Sequence, residues 1–358
     1  MSKPRLIAFY LPQFYPTKEN DEWWGKGFTE WTNVGRTKPL FRGHDQPRVP
    51  ADLGYYDLRI PEVRDQQAEL AKSAGIEGFC YWHYWFGNGK RLLDRVFSEV
   101  VESGKPDYPF CLCWANHSWY QKTWDPTKPD KLLIEQTYPG EKDYEDHFYA
   151  MLPAFKDKRY MKVDGKLIFG IFDSEGFADF KLFKDVWNNL AKEHGLGSFY
   201  FVGFTFRPRK ISNIMANGYD AVTIDYILDF KGKKATLIDR IKRKLFHRPQ
   251  ILHYSDYSQW IQSHYSISEN IHPCLCPNFD HSPRSKERGV IIDDHSPQKW
   301  EKLCRKMIKK CSCREEKNNL IFVKAWNEWG EGNYLEPDLT HGRGFIEATR
   351  RALEEETI

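Results

Sequence analysis

The chain has 358 residues, with 53 Lys and Arg against 50 Asp and Glu, a formal net charge of +3. That balance is too even to argue for nucleic acid as a partner. Hydrophobic residues at 41% and charged residues at 29% are an ordinary globular composition, which excludes a disordered or fibrous chain. The length suits one large α/β barrel or two smaller domains, and no linker divides it, so residues 1–358 read as one domain. Its start, Met-Ser-Lys-Pro-Arg, runs straight into a strand, with no signal-peptide core and no membrane-length apolar run, and the expectation is a cytoplasmic chain. The eight cysteines fit a reducing compartment. Cys80, Cys111, Cys113, Cys274 and Cys276 read as core positions on strands, and Cys304, Cys311 and Cys313 have no Cys-x-x-Cys spacing or His cluster for zinc.

Taken in order, the first strand is expected at about 6–11. An aromatic irregular segment follows, with Trp23, Trp24, Phe28, Glu30, Trp31, Phe41, His44 and Pro47. It is too rich in large apolar residues to be disordered and reads as a structured loop over a site. A helix over Pro61–Ser73 has Pro at its start and Gly75 at its end. Strands at about 76–81, 109–114, 166–172, 199–206, 221–226 and 272–277 then alternate with helices at about 91–102, 142–155, 180–193, 211–216, 255–266 and 297–311. An eighth strand at about 321–326 precedes a helix at about 345–356. Eight alternating pairs imply parallel strands and a closed (β/α)8 barrel, an α/β fold. An open doubly wound sheet is disfavoured, because no Gly-x-Gly-x-x-Gly turn or Walker sequence follows a strand.

In such a barrel the C-terminal strand ends line one pocket. There the sequence places His83, Tyr84 and Trp85; Asn116, His117 and Trp119; Asp225; Asn278, Asp280 and Arg284; and Asn327, Glu328, Trp329 and Glu331. Amides, carboxylates and imidazoles bind hydroxyls, and indole faces stack on sugars. Tyr334 and Glu336, just beyond, and Glu30 and Trp31 in the long loop complete the expected substrate-binding set. The last strand runs directly into Asn327-Glu328-Trp329-Gly330-Glu331-Gly332. Two carboxylates three residues apart suit glycosidic chemistry, one group moving a proton and one acting as base or nucleophile. The histidines lie on different strands without metal-ligand spacing, so neither a metal nor a cofactor is expected.

An insertion at about 229–250 carries Lys231, Lys233, Lys234, Arg240, Lys242, Arg243, Lys244 and Arg248, with a possible amphipathic helix over 236–246. It reads either as a solvated helix packed on the barrel or as a peripheral membrane contact through 231–248, which would suit lipid-linked sugars.

Four stretches carry a resemblance over nearly the whole chain: the one from Phe9 to Pro16, Gly27-Phe28-Thr29-Glu30-Trp31, the one from Cys113 to Trp119, and Trp326-Asn327-Glu328-Trp329-Gly330-Glu331-Gly332. The chain resembles the WbsX-type glycosyltransferase-like family of bacterial surface-polysaccharide clusters. That family is similar to glycoside hydrolase family 99, endo-acting α-mannosidases on a (β/α)8 barrel. The hydrolases carry His where this chain has Gly330 and Thr where it has Asn333, which leaves substrate and linkage open. The resemblance implies that Glu328 deprotonates the sugar 2-hydroxyl to give a 1,2-anhydro intermediate, and that Glu331 is the acid/base. A covalent glycosyl-enzyme on Glu328 is the ordinary alternative. The expected activity is retaining cleavage or transfer of a glycosyl unit, on an oligosaccharide or polysaccharide that could be lipid-linked. A nucleotide- or lipid-linked-sugar transferase and a noncatalytic glycan-binding assembly protein are the other readings. No Asp-x-Asp motif supports a nucleotide sugar.

Overall fold

The computed structural model describes residues 4–122, 129–234, 245 and 248–354. Eight parallel strands form the barrel: β1 (Arg5–Tyr10), β2 (Gly78–His83), β3 (Phe110–Trp114), β4 (Lys166–Ile171), β5 (Phe199–Thr205), β6 (Ala221–Asp225), β7 (Ile271–Leu275) and β8 (Leu320–Val323). Each pairs with its sequence neighbour, apart from the closure, where β8 pairs with β1, Ile7 opposite Phe322. The β3–β4 pairing, Leu112 opposite Phe169, completes the ring on the other side. Buried runs such as Leu320-Ile321-Phe322-Val323 explain why these strands are central: both of their faces are covered.

The barrel interior is filled. Phe9, Cys80, Cys113, Thr223 and Phe322 surround a void of only about 10 Å³, less than a water needs. Outside lie α1 (Pro61–Ser73), α2 (Arg95–Ser103), α3 (Glu141–Phe155), α4 (Phe180–Glu193), α5 (Ile211–Ala216), α6 (Tyr254–His264), α7 (Pro297–Cys311) and α8 (Gly344–Glu354). α7 shows why they dock: Trp300, Leu303, Cys304, Met307, Ile308 and Cys311 are buried at helical spacing. Ser296 caps its start by accepting from Lys299 N, and Trp300 Nε1 donates to Thr349 Oγ1 on α8 at 2.8 Å. All eight cysteines are free thiols, and Cys313 alone is exposed.

The structure differs from the sequence expectation in its additions. The long segment after β1 contains helices Lys18–Trp24 and Glu30–Gly35. Gln250–His253, Phe279–Asp280 and Val290–Asp293 form a separate three-stranded sheet. Trp119–Gln121 pairs with Lys131–Ile134 as a hairpin after β3. The insertion begins as a helix over Ile227–Lys234, whereas the expected amphipathic helix over 236–246 falls mostly outside the described residues. No described helix is long and apolar enough to cross a membrane.

Trp187 is the keystone between α3, α4 and the barrel. It is fully buried, its ring lies 4.7 Å from Phe169 on β4, and its Nε1 donates to Tyr144 O on α3 at 2.9 Å. Trp187→Ala should lower stability by about 3–5 kcal/mol, read from the urea unfolding midpoint; a change below about 1 kcal/mol would contradict this packing.

Candidate active site

β8 ends at Val323, but the chain stays tied to its neighbours as it leaves the sheet. Lys324 N donates to Leu275 O at 2.9 Å, and Trp326 N to Phe9 O at 2.8 Å. Asn327–Glu328 then pairs antiparallel with Asn333–Tyr334, and Trp329–Glu331 forms a 3₁₀ turn between them. Residues three apart eclipse in 3₁₀ geometry, so Glu328, just before the turn, and Glu331, at its end, present their carboxylates on one side. Gly332 closes the turn at φ +51°, and a Cβ there would come within 2.7 Å of Asp280 Cβ. The turn is braced from behind. Trp329 stacks on Tyr334 at 3.7 Å and donates to Glu336 Oε2 at 2.6 Å. Asn327 accepts from Leu11 N and donates to Leu11 O.

The pair faces a cavity of about 1010 Å³ over the C-terminal strand ends. Aromatic walls come from Trp82, Tyr84, Trp119, Phe172 and Phe206, and Phe28 and Glu30 reach in from the loop after β1. At the floor Lys324 Nζ lies 3.2 Å from Glu331 Oε2, 3.6 Å from Asp225 Oδ2 and 3.9 Å from Glu328 Oε2. Arg284 Nη1 donates to Glu331 Oε1 at 2.6 Å, and its Nη2 lies 3.1 Å from Glu30 Oε2. Gly330 makes room for that last contact: a Cβ would fall 1.8 Å from Glu30 Oε2 and 3.0 Å from Arg284 Nε.

These contacts pull the two proton affinities apart. Burial, and then the charge of Glu331, push Glu328 up to about 7 against the pull of Lys324 and Arg284. Its Oε2 has no hydrogen-bond partner. Burial acts on Glu331 too, but Lys324 and Arg284 outweigh it and hold this carboxyl well below the usual range. Burial would weaken the proton on Lys324, yet Glu331, Glu328 and Asp225 together raise its pKa well above the ordinary value. Burial raises Asp225. Of the two, Glu328 therefore keeps its proton to the higher pH, up to about 7, while Glu331 is the one that ionises first. Burial, followed by the Glu328 charge, keeps Tyr84 a phenol and thus a hydrogen-bond donor. Burial lowers His117 and His281, so both imidazoles are neutral.

Of the expected residues, Glu30, Tyr84, His117, Trp119, Arg284, Glu328 and Glu331 line the cavity, and Asp225 touches it through Lys324. The others lie behind its wall. His83 Nε2 meets His147 Nε2 at 2.7 Å, and Trp85 donates to Asp143 on α3. Asn116 holds Asp173 N and Tyr138. Asn278 accepts from Tyr334 N. Asp280 accepts from Gln46 and Ser282 N and pairs with His44. Trp31 donates to Tyr56 O, and Glu336 collects Trp329, Tyr56 and Gln67. These residues, and Asn327, Trp329 and Tyr334, do not line the cavity and brace the loops that carry the pair. Period-2 alternation explains part of this sorting: Trp82 and Tyr84 face the cavity while His83 and Trp85 face α3. Lys324 was missed, although a lysine ending a buried apolar strand, four residues before a glutamate, was a usable signal. His281, Phe172 and Phe206 were also missed. Among the described residues no group of three or more His, Cys, Asp or Glu side chains could hold a metal ion.

Comparison with known proteins places this geometry in context. The family model described as Glycosyltransferase WbsX matches residues 6–349. Uncharacterized protein WxcX of Xanthomonas campestris pv. campestris is 35% identical across 97% of this chain and 49% of its own length, and its counterpart in a second strain is 34% identical with the same coverage. The chain thus spans about half the length of the curated relatives it matches. A solved glycoside hydrolase-like protein superposes with a TM-score of 0.61 at 15% identity, covering 99% of this chain and 94% of its own. A GH99 endo-alpha-mannosidase from Bacteroides thetaiotaomicron superposes with a TM-score of 0.53 at 14% identity, covering 99% of this chain and 98% of its own. At these identities the two structures establish the shared barrel fold.

Lys324→Met should leave Asp225, Glu328 and Glu331 buried without their shared cation. The expected loss is roughly 3–5 kcal/mol near neutral pH. Without the cation the folded-state pKa values of Asp225 and Glu328, already raised by burial, rise further above their unfolded values. The deficit should therefore shrink as pH falls and they take up protons, and grow as pH rises through about 7. Urea unfolding of both proteins at about pH 5 and about pH 8 reads this directly; an equal deficit at both would contradict it.

Proposed function

Because the chain belongs to the Glycosyltransferase WbsX family, we propose that it is a carbohydrate-active enzyme that cleaves or transfers a glycosyl unit with retention, in bacterial surface-polysaccharide (O-antigen or capsule) metabolism. The observation that carries this reading is the pair of buried carboxylates, set beside Lys324 and Arg284 and facing one aromatic-walled cavity. Its volume accommodates several sugar units, and flat indole and phenyl faces suit pyranose rings.

In the reaction, Glu328 takes the proton of the sugar 2-hydroxyl. O2 then attacks C1, the glycosidic C–O bond breaks, and Glu331 protonates the leaving oxygen. Next Glu331, now anionic, deprotonates an acceptor hydroxyl, which opens the 1,2-anhydro ring at C1, and Glu328 returns its proton to O2. Two inversions give net retention. The unliganded pair, with Glu328 protonated and Glu331 charged, has the protonation that follows the first step and is poised to activate an acceptor. To begin that first step, the proton must pass to Glu331, and Arg284 must give up its hydrogen bond to Glu331 Oε1. Lys324 stays beside both carboxylates throughout and offsets the charge that moves between them.

The substrate proposed is an oligosaccharide or polysaccharide, with α-mannosides the first class to try, because the hydrolase of like fold carries that name. If the glycan is lipid-linked, the lysines and arginines between residues 231 and 248 would add affinity for an anionic membrane.

Glu328→Gln and Glu331→Gln should each lower kcat by about 10²–10⁴-fold on a glycoside supplied without nucleotide sugar, with product anomers followed by NMR. Full activity in either variant, or product only after a nucleotide sugar is added, would sink the proposal. The pH profile is a second test. The active pair needs its one proton, so kcat/KM should fall as pH rises through about 7, where Glu328 loses it. A rate that climbs through that pH would show that the pair works fully ionised.

A further inference from the structure

The floor of the cavity is short of cations. Four carboxylates, Glu30, Asp225, Glu328 and Glu331, meet two cations, Lys324 and Arg284. His281 Nε2 lies 4.0 Å from Glu331 Oε1 but adds no charge, because burial keeps its imidazole neutral. Lys324 is buried between Asp225 and the glutamate pair. Arg284 is shared in another way. Its Nε and Nη2 lie 3.2 and 3.1 Å from one oxygen of Glu30, Oε2, while its Nη1 donates to Glu331 Oε1 at 2.6 Å. The other oxygen of Glu30 is weakly engaged: Asn33 Nδ2 approaches Oε1 only to 3.5 Å, the outer limit of a hydrogen bond. Glu30 is also the fixed partner of the two. Its side chain is 5% exposed against 26% for Arg284. Thr29 caps the helix that begins at Glu30, and Trp31 Nε1 beside it donates to Tyr56 O.

We propose that Glu30 is a positioning residue, the pivot on which Arg284 swings: Glu30 shares the guanidinium with Glu331 while Glu331 is charged, and takes it on both oxygens when Glu331 is neutral. The inference deepens the functional reading above and rests on it for the role of the Glu331 proton. A hydrogen bond to an ionised acceptor is roughly twice as strong as one to a neutral acceptor. Once Glu331 holds a proton, the Nη1 bond loses that advantage and Glu30 becomes the better partner. Nη2 then passes from Oε2 to Oε1 of Glu30 while Nε stays on Oε2, the parallel two-bond pairing that guanidinium and carboxylate favour. No covalent bond changes in the swing. The proton reaches Glu331 from Glu328 and leaves it for the departing oxygen, and Arg284 returns to the carboxylate left behind. Gly330 leaves the space for the pivot, since a Cβ there would fall 1.8 Å from Glu30 Oε2 and 3.0 Å from Arg284 Nε. Without the charge of Glu30 the guanidinium stays on Glu331 and holds it ionised, which opposes protonation of the leaving group.

Two experiments test the pivot, and the first needs no substrate. In a crystal structure of the Glu331→Gln protein, where position 331 is neutral, Arg284 should have let go of that side chain and should bond both oxygens of Glu30 at about 3 Å. A guanidinium that keeps its present place would overturn the proposal. The second compares an α-linked mannotetraose, whose leaving sugar must be protonated, with α-mannosyl fluoride, whose fluoride departs without a proton. In Glu30→Gln, kcat/KM on the tetraose should fall about 10–100-fold, the scale of a hydrogen bond to a charged group, and on the fluoride by less than about threefold. A purely structural role for Glu30 would lower both alike, and an equal loss, or no loss on either, would overturn the proposal. If Glu30→Gln does not fold, or neither α-mannoside is turned over by the unaltered protein, the Glu331→Gln structure decides alone. Failure of the catalytic reading looks different, because it appears as activity retained in Glu331→Gln, wherever Arg284 then lies.

Discussion

The ammonium group of Lys324 is the contact on which the site depends. Three carboxylates from two separate pieces of chain, Asp225 at the end of β6 and Glu328 and Glu331 on the turn after β8, converge on it within 4 Å in a nearly dry corner of the barrel mouth. Burying that much negative charge without a cation would be prohibitive. With Lys324 in place, the two glutamates become unequal instead of merely tolerated. Glu331 receives both Lys324 and Arg284, and Glu328 receives neither at hydrogen-bond distance. The asymmetry of the acid/base pair therefore comes from where two cations sit, and the carboxyl groups themselves are alike.

The barrel was legible because its signals are local and repeated. Eight apolar runs alternate with helices whose limits are marked by residues such as Pro61, Pro297 and Gly75, and four helices fall on the expected limits. The three-stranded sheet was not legible. Its members are four residues or fewer, and two of them pair across some forty positions of chain, so no periodicity develops. The turn that carries the two glutamates was plain, since their spacing by three around Gly330 and before Gly332 carries its own geometry. The division of the strand-end residues between mouth and scaffold was only half readable. Alternation separates Tyr84 from His83, but the residues after β3, from Ala115 to Tyr120, line the cavity without a period. Beyond the last strand alternation no longer applies, and nothing in the order Asn327, Glu328, Trp329 says that only the middle residue faces the cavity. Lys324 had a local signal but no obvious role until Asp225 was seen beside it, and that proximity exists only in the closed barrel.

The residues behind the wall account for the rigidity that acid/base chemistry needs. Glu336 is itself a buried carboxyl, pushed up to about 7 by burial despite donors from Trp329, Gln67 and Tyr56, and it ties the turn bearing Glu328 and Glu331 to α1 and to the loop after β1. Asp280 does the same for the turn after β7. Its hydrogen bonds from Gln46 and Ser282, and its contact with His44, hold it ionised against the pull of burial. These polar residues at the strand ends are, in space, struts that hold Glu328 and Glu331 in place.

Gly330 carries a consequence for how such loops can be exchanged. The hydrogen atom it presents is the only thing that fits beside Glu30 Oε2, and Glu30 is held there by Arg284. Three loops, following β1, β7 and β8, therefore interlock at one point, each shaped to the others. Transplanting the β8 turn of a relative that carries a side chain at this position would import a steric conflict with two residues that the transplant did not include. The transferable unit of this cavity is the triplet of positions 30, 284 and 330 taken together, and an exchange between barrels of this kind keeps the contacts only if all three loops move at once.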